Sequence, residues 1–183
     1  MVCSAQPGLT VRYWCQDETR LGLKTIQRRK ITALGVKPVG VQWQREATYL
    51  YGIVEPISGA QFFYEFSHLD SQCFQLFLRL VSQQFPDSLN VIQLDRASAH
   101  TAKCLLVPDN IVLVFQPAHA PELNPIERLW QFLKAKLAWR LFDTLDQLRE
   151  AVSQELEHLQ PQAIASLTGW NFILDALSVA GIC

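Results

Sequence analysis

The sequence predicts an α/β fold in which a mixed five-stranded sheet is flanked by helices. Strand-like segments come first, then an amphipathic stretch, then two short apolar runs, and finally a run of helical segments. A strand that returns parallel to another needs a covering crossover, which suits a mixed sheet with helices on its faces. At 183 residues, with 49% hydrophobic and 18% charged, the chain is long enough for one well-buried core and short for two. One domain spanning 1–183 is therefore expected, helical from about residue 141.

The elements follow in order. Leu9 to Gln16 is rich in β-branched and aromatic residues and reads as a strand that ends at Asp17. Tyr49–Val54 and Ala60–Phe66 read as a hairpin, joined by a connection containing Pro56 and Gly59. Between Leu69 and Phe85, Phe74, Phe77, Leu78 and Val81 recur at helical spacing, and Pro86 closes the segment. Val91–Leu94, ending at Asp95, and Ile111–Phe115 read as buried interior strands. Asn124 then opens a helix with Ile126, Leu129, Trp130, Leu133 and Leu137 on one face. Thr144 with Gln147 forms a capping-box start for another helix carrying Leu145, Leu148, Val152, Leu156 and Leu159. Pro161 fits the first turn of a last helix and Gly169 its end.

Composition excludes several classes. No apolar run reaches membrane-spanning length, and the N-terminus lacks the basic-then-apolar order of a secretory signal, so a cytoplasmic protein without a membrane partner is expected. Five widely spaced cysteines with no Cys-x-x-Cys pair argue against a disulfide framework or zinc cluster and for reduced, mostly buried thiols. The net charge of −1 hides an asymmetry: Arg20, Lys24, Arg28, Arg29, Lys30, Lys37 and Arg45 lie in one segment without an acid, whereas the region after Leu141 is acidic apart from Arg149. Such a basic segment can meet nucleic-acid phosphates or be a solvated loop; charge alone does not separate the two.

Two strands ending in aspartate, Asp17 and Asp95, and a helix with Glu127 in its first turn make the constellation that carries chemistry. Taken singly, each acid has an ordinary explanation. A post-strand aspartate is often a turn or cap residue, and Asn124 as N-cap puts Glu127 at N3, where glutamate commonly reaches back to the cap. Brought together, three carboxylates repel one another unless a hard divalent cation relieves the repulsion. Two such ions can activate an attacking oxygen and stabilise a leaving one in phosphodiester chemistry.

Four blocks carry a resemblance: Gln16–Leu23 (QDETRLGL), Tyr51–Pro56 with Ser58–Gly59, Gln93–Asp95 followed by His100, and Pro121–Trp130 (PELNPIERLW). Together they resemble the mariner superfamily of DDE transposases, with bacterial insertion-sequence relatives as the nearest branch. The likeness runs from about Gln16 to Leu137, and the final block is its most specific part. It implies a ribonuclease H-like fold and metal-dependent DNA cleavage and strand transfer. It also implies Asp17, Asp95 and Glu127 as ligands of two Mg2+ ions, for which Mn2+ can substitute. Arg20, Lys24, Arg28, Arg29 and Lys30 become candidates for phosphate contact. His100 becomes a candidate beside the scissile phosphate, with a buried or helix-start histidine as the alternative.

Glu18 and Glu122 rank below the three acids, and Trp130 and Trp139 read as core rather than base-stacking residues. The sequence departs from the family pattern in a short Asp95–Glu127 spacing, in Arg96 where asparagine is common, and in Ala118-His119-Ala120 where a tyrosine- and serine-containing turn is usual. Because the sequence begins almost at the catalytic strand, the helix-turn-helix region that usually precedes it in the family is expected to be missing. DNA recognition is then expected from elsewhere, as from a separately encoded helix-turn-helix subunit, with a homodimer as a further expected assembly. A non-catalytic transposase remnant and a related nuclease without strand transfer are the alternatives.

Overall fold

The structure, a computed structural model, describes residues 10–23, 34, 46–102, 104–118 and 120–182. Among them, five strands form one sheet: β1 (Thr10–Gly22), β2 (Ala47–Val54), β3 (Gln61–Phe66), β4 (Ser88–Leu94) and β5 (Ile111–Phe115), in the order β3-β2-β1-β4-β5. β1–β2 and β2–β3 are antiparallel, and β1–β4 and β4–β5 are parallel, so the sheet is mixed as expected. The β2–β3 hairpin closes through Glu55, whose amide donates to the Ala60 carbonyl, and Gly59 takes a positive φ of 72°.

Helix α1 (Ser71–Gln84) makes the crossover from β3 to β4. Asp70 caps it, its Oδ1 accepting from the amides of Gln72 (3.0 Å) and Cys73 (2.8 Å). The four apolar residues read from its periodicity are its buried stripe. They meet Trp14, Tyr51, Ile53, Ile92 and Leu94 in the core on one face of the sheet. The core on the other face joins Cys15, Leu21, Leu50 and Val54 to α2 (Ile126–Leu137), α3 (Leu145–Glu157) and α4 (Pro161–Thr168). The alternation along β1 divides its neighbours between the two cores: Trp14 belongs to one and Cys15 to the other.

Several expectations are corrected. β1 does not end at Gln16; it continues to Gly22, because β2 pairs with it along that whole stretch, so Asp17 is a mid-strand residue. β5 is an edge strand rather than an interior one. Its uninterrupted apolar sequence leaves Val112 and Val114 exposed at that edge. Pro161 does open α4 and Gly169 ends it, but α4 is followed by α5 (Asn171–Val179). Trp130 is core, whereas Trp139 is 45% exposed and sits at φ 67° just past α2. Of the described cysteines, all free, only Cys15 is buried; Cys73 is partly covered and Cys104 exposed. Among the described residues no helix is long and apolar enough to cross a membrane.

Candidate active site

β1 outruns its parallel neighbour. Its register with β2 extends to Gly22↔Ala47, whereas its register with β4 stops at Cys15↔Gln93, one residue before β4 itself ends at Leu94. Carrying the same offset two residues further sets Asp95 opposite Asp17, and adjacent strands lie about 4.8 Å apart. Asp95 therefore follows the end of β4 near the level of Asp17, at the place where β4 gives out and the sheet opens.

On its other side Asp17 pairs with Gly52. A Cβ at Gly52 would come within 2.7 Å of both the Phe63 ring and the Trp130 indole, so only glycine lets Trp130 approach β2 this closely. From there Trp130 Nε1 donates to Asp17 Oδ2 at 2.9 Å. The core tryptophan thus has a second task, orienting the aspartate, that helical periodicity alone does not reveal.

Glu127 sits in the first turn of α2, but the capping box expected around it does not form. The helix begins at Ile126 with Pro125 in the cap position, and among the described residues no side chain caps it. Asn124 instead turns its amide into the sheet, Nδ2 donating to the Gln16 carbonyl at 2.8 Å, and its Oδ1 is buried without a hydrogen-bond partner. A buried tertiary hydrogen bond has displaced the local one, and it ties the start of α2 to the residue next to Asp17. Glu127 keeps a half-buried carboxylate not used in capping.

The electrostatics are those of gathered acids. Burial, then the charges of Glu127 and Glu18, push Asp17 up to about 8, against the lowering effect of the Glu18 backbone amide and the Trp130 bond. Glu127 is also raised, first by burial; Lys134 opposes the shift and the Asp95 charge adds to it. Asp17 thus feels Glu127, and Glu127 feels Asp95. The available donors are carboxylate oxygens, and the ionised forms of Asp17 and Glu127 are disfavoured as they stand, which is the chemistry a hard divalent cation relieves. Among the described residues, no three His, Cys, Asp or Glu side chains are grouped tightly enough to close around an ion.

His100 is 2% exposed and lies beneath this cluster, the buried alternative of the two readings. Its Nδ1 is 2.7 Å from Asp95 Oδ1 and its Nε2 is 3.0 Å from Glu18 Oε1, with the ring against Phe74. Burial alone would lower its pKa, but the hydrogen bonds and charges of Glu18 and Asp95 outweigh that and raise it. Asp95 Oδ1 also accepts from the Ala97 amide at 2.9 Å. Glu18, which ranked below the three acids, is thus the far end of a Glu18–His100–Asp95 chain; the alternation that sends Asp17 to one face sends Glu18 to the other. Of the basic candidates, Arg20 is exposed on β1, and Lys24, Arg28, Arg29 and Lys30 lie outside the described residues.

Residues 12–149 match the DDE superfamily endonuclease family. The uncharacterized protein y4pE/y4sA of Sinorhizobium fredii is 35% identical over 102 residues, which cover 55% of this chain and 76% of that protein. Among solved structures, the Mos1 transposase paired-end complex with left transposon end superposes with a TM-score of 0.67 at 17% identity, covering 87% of this chain and 52% of that one. The Mos1 mariner paired-end complex with Mn gives 0.68 at 17%, covering 86% and 51%. At such identities the likeness is one of fold, and it is the ribonuclease H-like α/β fold that the sequence resemblance implied. The chain spans about half the length of the solved Mos1 chains it matches.

Proposed function

The chain belongs to the DDE superfamily of endonucleases, and we propose that it is a transposase catalytic domain performing metal-dependent DNA cleavage and strand transfer for an insertion sequence in the cytoplasm. Asp17, Asp95 and Glu127 would hold two Mg2+ ions, or Mn2+ in their place. The observation that supports this reading is the strand register that, carried past Cys15↔Gln93, puts Asp95 near the level of Asp17, together with the charge of Glu127 felt at Asp17, that of Asp95 felt at Glu127, and the Asn124 bond that ties the start of α2 to Gln16. Bound divalent ions supply the activation of an attacking water or 3′-hydroxyl and the neutralisation of charge on the leaving oxygen. The protein's own contribution is positional. Trp130 orients Asp17, the Asn124–Gln16 bond fixes the height of Glu127 above the sheet, and His100 with the Ala97 amide restrains Asp95. Arg20, Lys24, Arg28, Arg29 and Lys30 would hold DNA phosphates without reading bases.

A second reading, a folded remnant without catalysis, draws on Asp95, whose Oδ1 is already engaged by His100 and Ala97. Incubation of the purified chain with supercoiled plasmid and Mg2+ or Mn2+ separates the two. Nicking that falls at least about 100-fold in Asp95→Asn, with melting temperature retained, supports the catalytic assignment. Equal nicking by Asp95→Asn refutes the residue assignment, and a folded parent that nicks nothing supports the remnant.

A further inference from the structure

A cleft of about 460 Å3 is lined by Glu127 and Trp170 together with Arg128, Gln131, Pro121 and Glu122. This volume lies within the range of roughly 300–1,000 Å3 usual for small-ligand sites. Trp170 stands at the junction of α4 and α5, beyond the stretch that matches the family. Its Nε1 donates to the Leu167 carbonyl at 3.2 Å and its ring packs on Phe172, so its orientation is fixed before any ligand arrives. The Arg128 guanidinium lies 5.8 Å from the ring centre, and both Arg128, next to Glu127, and Gln131, one turn further along α2, are exposed. The anchoring of α4 and α5 does not depend on that contact, because Ile164, Ile173 and Leu177 are already buried.

We propose that this cleft is a subsite for one unstacked nucleotide of the DNA strand being processed, with its base against Trp170, its phosphate toward Arg128 and a base or sugar edge within reach of Gln131. A rigid π-face beside a cation and an amide binds bases without sequence preference. A nucleotide inside a duplex cannot use that face, because its neighbours already cover it, so the ligand is a frayed or single-stranded end. Glu122 and Glu127 repel a phosphate in the absence of divalent ions, so occupancy is favoured when cations are present. The inference rests on the proposed DNA function and extends it to a chain-specific residue.

The test uses the full chain with Ca2+ and a duplex bearing a short single-stranded 3′ end, with 2-aminopurine at either the terminal nucleotide or a duplex-interior position. Quenching of the terminal probe alone is expected. It should be lost in Trp170→Ala together with about 5- to 100-fold weaker binding, and largely kept in Trp170→Phe. Arg128→Ala should weaken binding of the single-stranded end more than that of a blunt duplex. Equal quenching at the interior position, no terminal quenching, or quenching that survives Trp170→Ala overturns the subsite. Should Trp170→Ala fail to fold by circular dichroism, the terminal-versus-interior comparison in the parent and the Arg128→Ala result decide alone. Because binding is read without cleavage, failure here leaves the plasmid-nicking result intact, and loss of nicking leaves this result readable.

Discussion

Asp17 is held where its own charge is disfavoured: it is partly buried, faces Glu127, and pairs with a glycine that brings an indole rather than water against it. Its folded pKa of about 8 lies far above the ordinary aspartate value of 3.8. The unfolded chain therefore releases this proton first, and the stability the protonated group contributes is lost as pH climbs from about 4 to about 8. Glu127 is raised as well and acts in the same direction, as does His100, whose window opens above its ordinary 6.5. In chelator the melting temperature should fall across this range, Asp17→Asn should flatten the fall, and saturating Mg2+ should remove it. A metal-free melting temperature that rises steadily from pH 5 to pH 8 would contradict this picture of the site. At this scale the sequence was only partly legible. The three acids could be picked out by type, whereas Asn124, a good N-cap by local rules, is spent on the Gln16 carbonyl by a contact between residues far apart in the chain.

The elements place the site through differences in strand length. β1 runs on beside β2 after β4 has stopped, which leaves a step at the sheet edge and puts Asp17 and Asp95 on it. Asp17 reads as the end of its strand because an aspartate after a β-rich run is often a turn or cap residue, and only the pairing partner reveals that the strand continues. β5 was misread for a complementary reason: an apolar run says that a strand is buried somewhere but not that it lies at an edge with one face open. The helices were more legible, since the buried stripes of α1 and α2 follow directly from their period. Gly52 is the element-scale hinge of the site, because it lets α2 approach β2 closely enough for Trp130 to reach Asp17. Gly52→Ala should displace Trp130 and Phe63 and cost about 1–3 kcal/mol in denaturant unfolding. It should also weaken metal-dependent cleavage beyond what the stability loss explains. A variant as stable and active as the parent would show that the close approach is unnecessary.

In the whole molecule, one sheet separates two cores. One core is closed by α1 and the other by α2, α3 and α4, so the acids sit at the rim of a rigid platform rather than on a free loop. The family match ends within α3, and α4 and α5 follow it, bringing Trp170 to the cleft beside Glu127. The sequence announced α4 through its proline and glycine, but α5 begins two residues after Gly169 behind Trp170, without the side-chain cap that would mark a new helix. The strand step, the pinned start of α2 and the unfavourable charge on Asp17 and Glu127 all support the proposed divalent-cation site. Titration calorimetry with Mn2+ on the folded parent and on Asp17→Asn, Asp95→Asn and Glu127→Gln tests that proposal directly. The account predicts binding by the parent that each substitution weakens at least about 10-fold with little loss of metal-free stability. It is contradicted if any one of the three variants binds Mn2+ as tightly, and in the same number, as the parent.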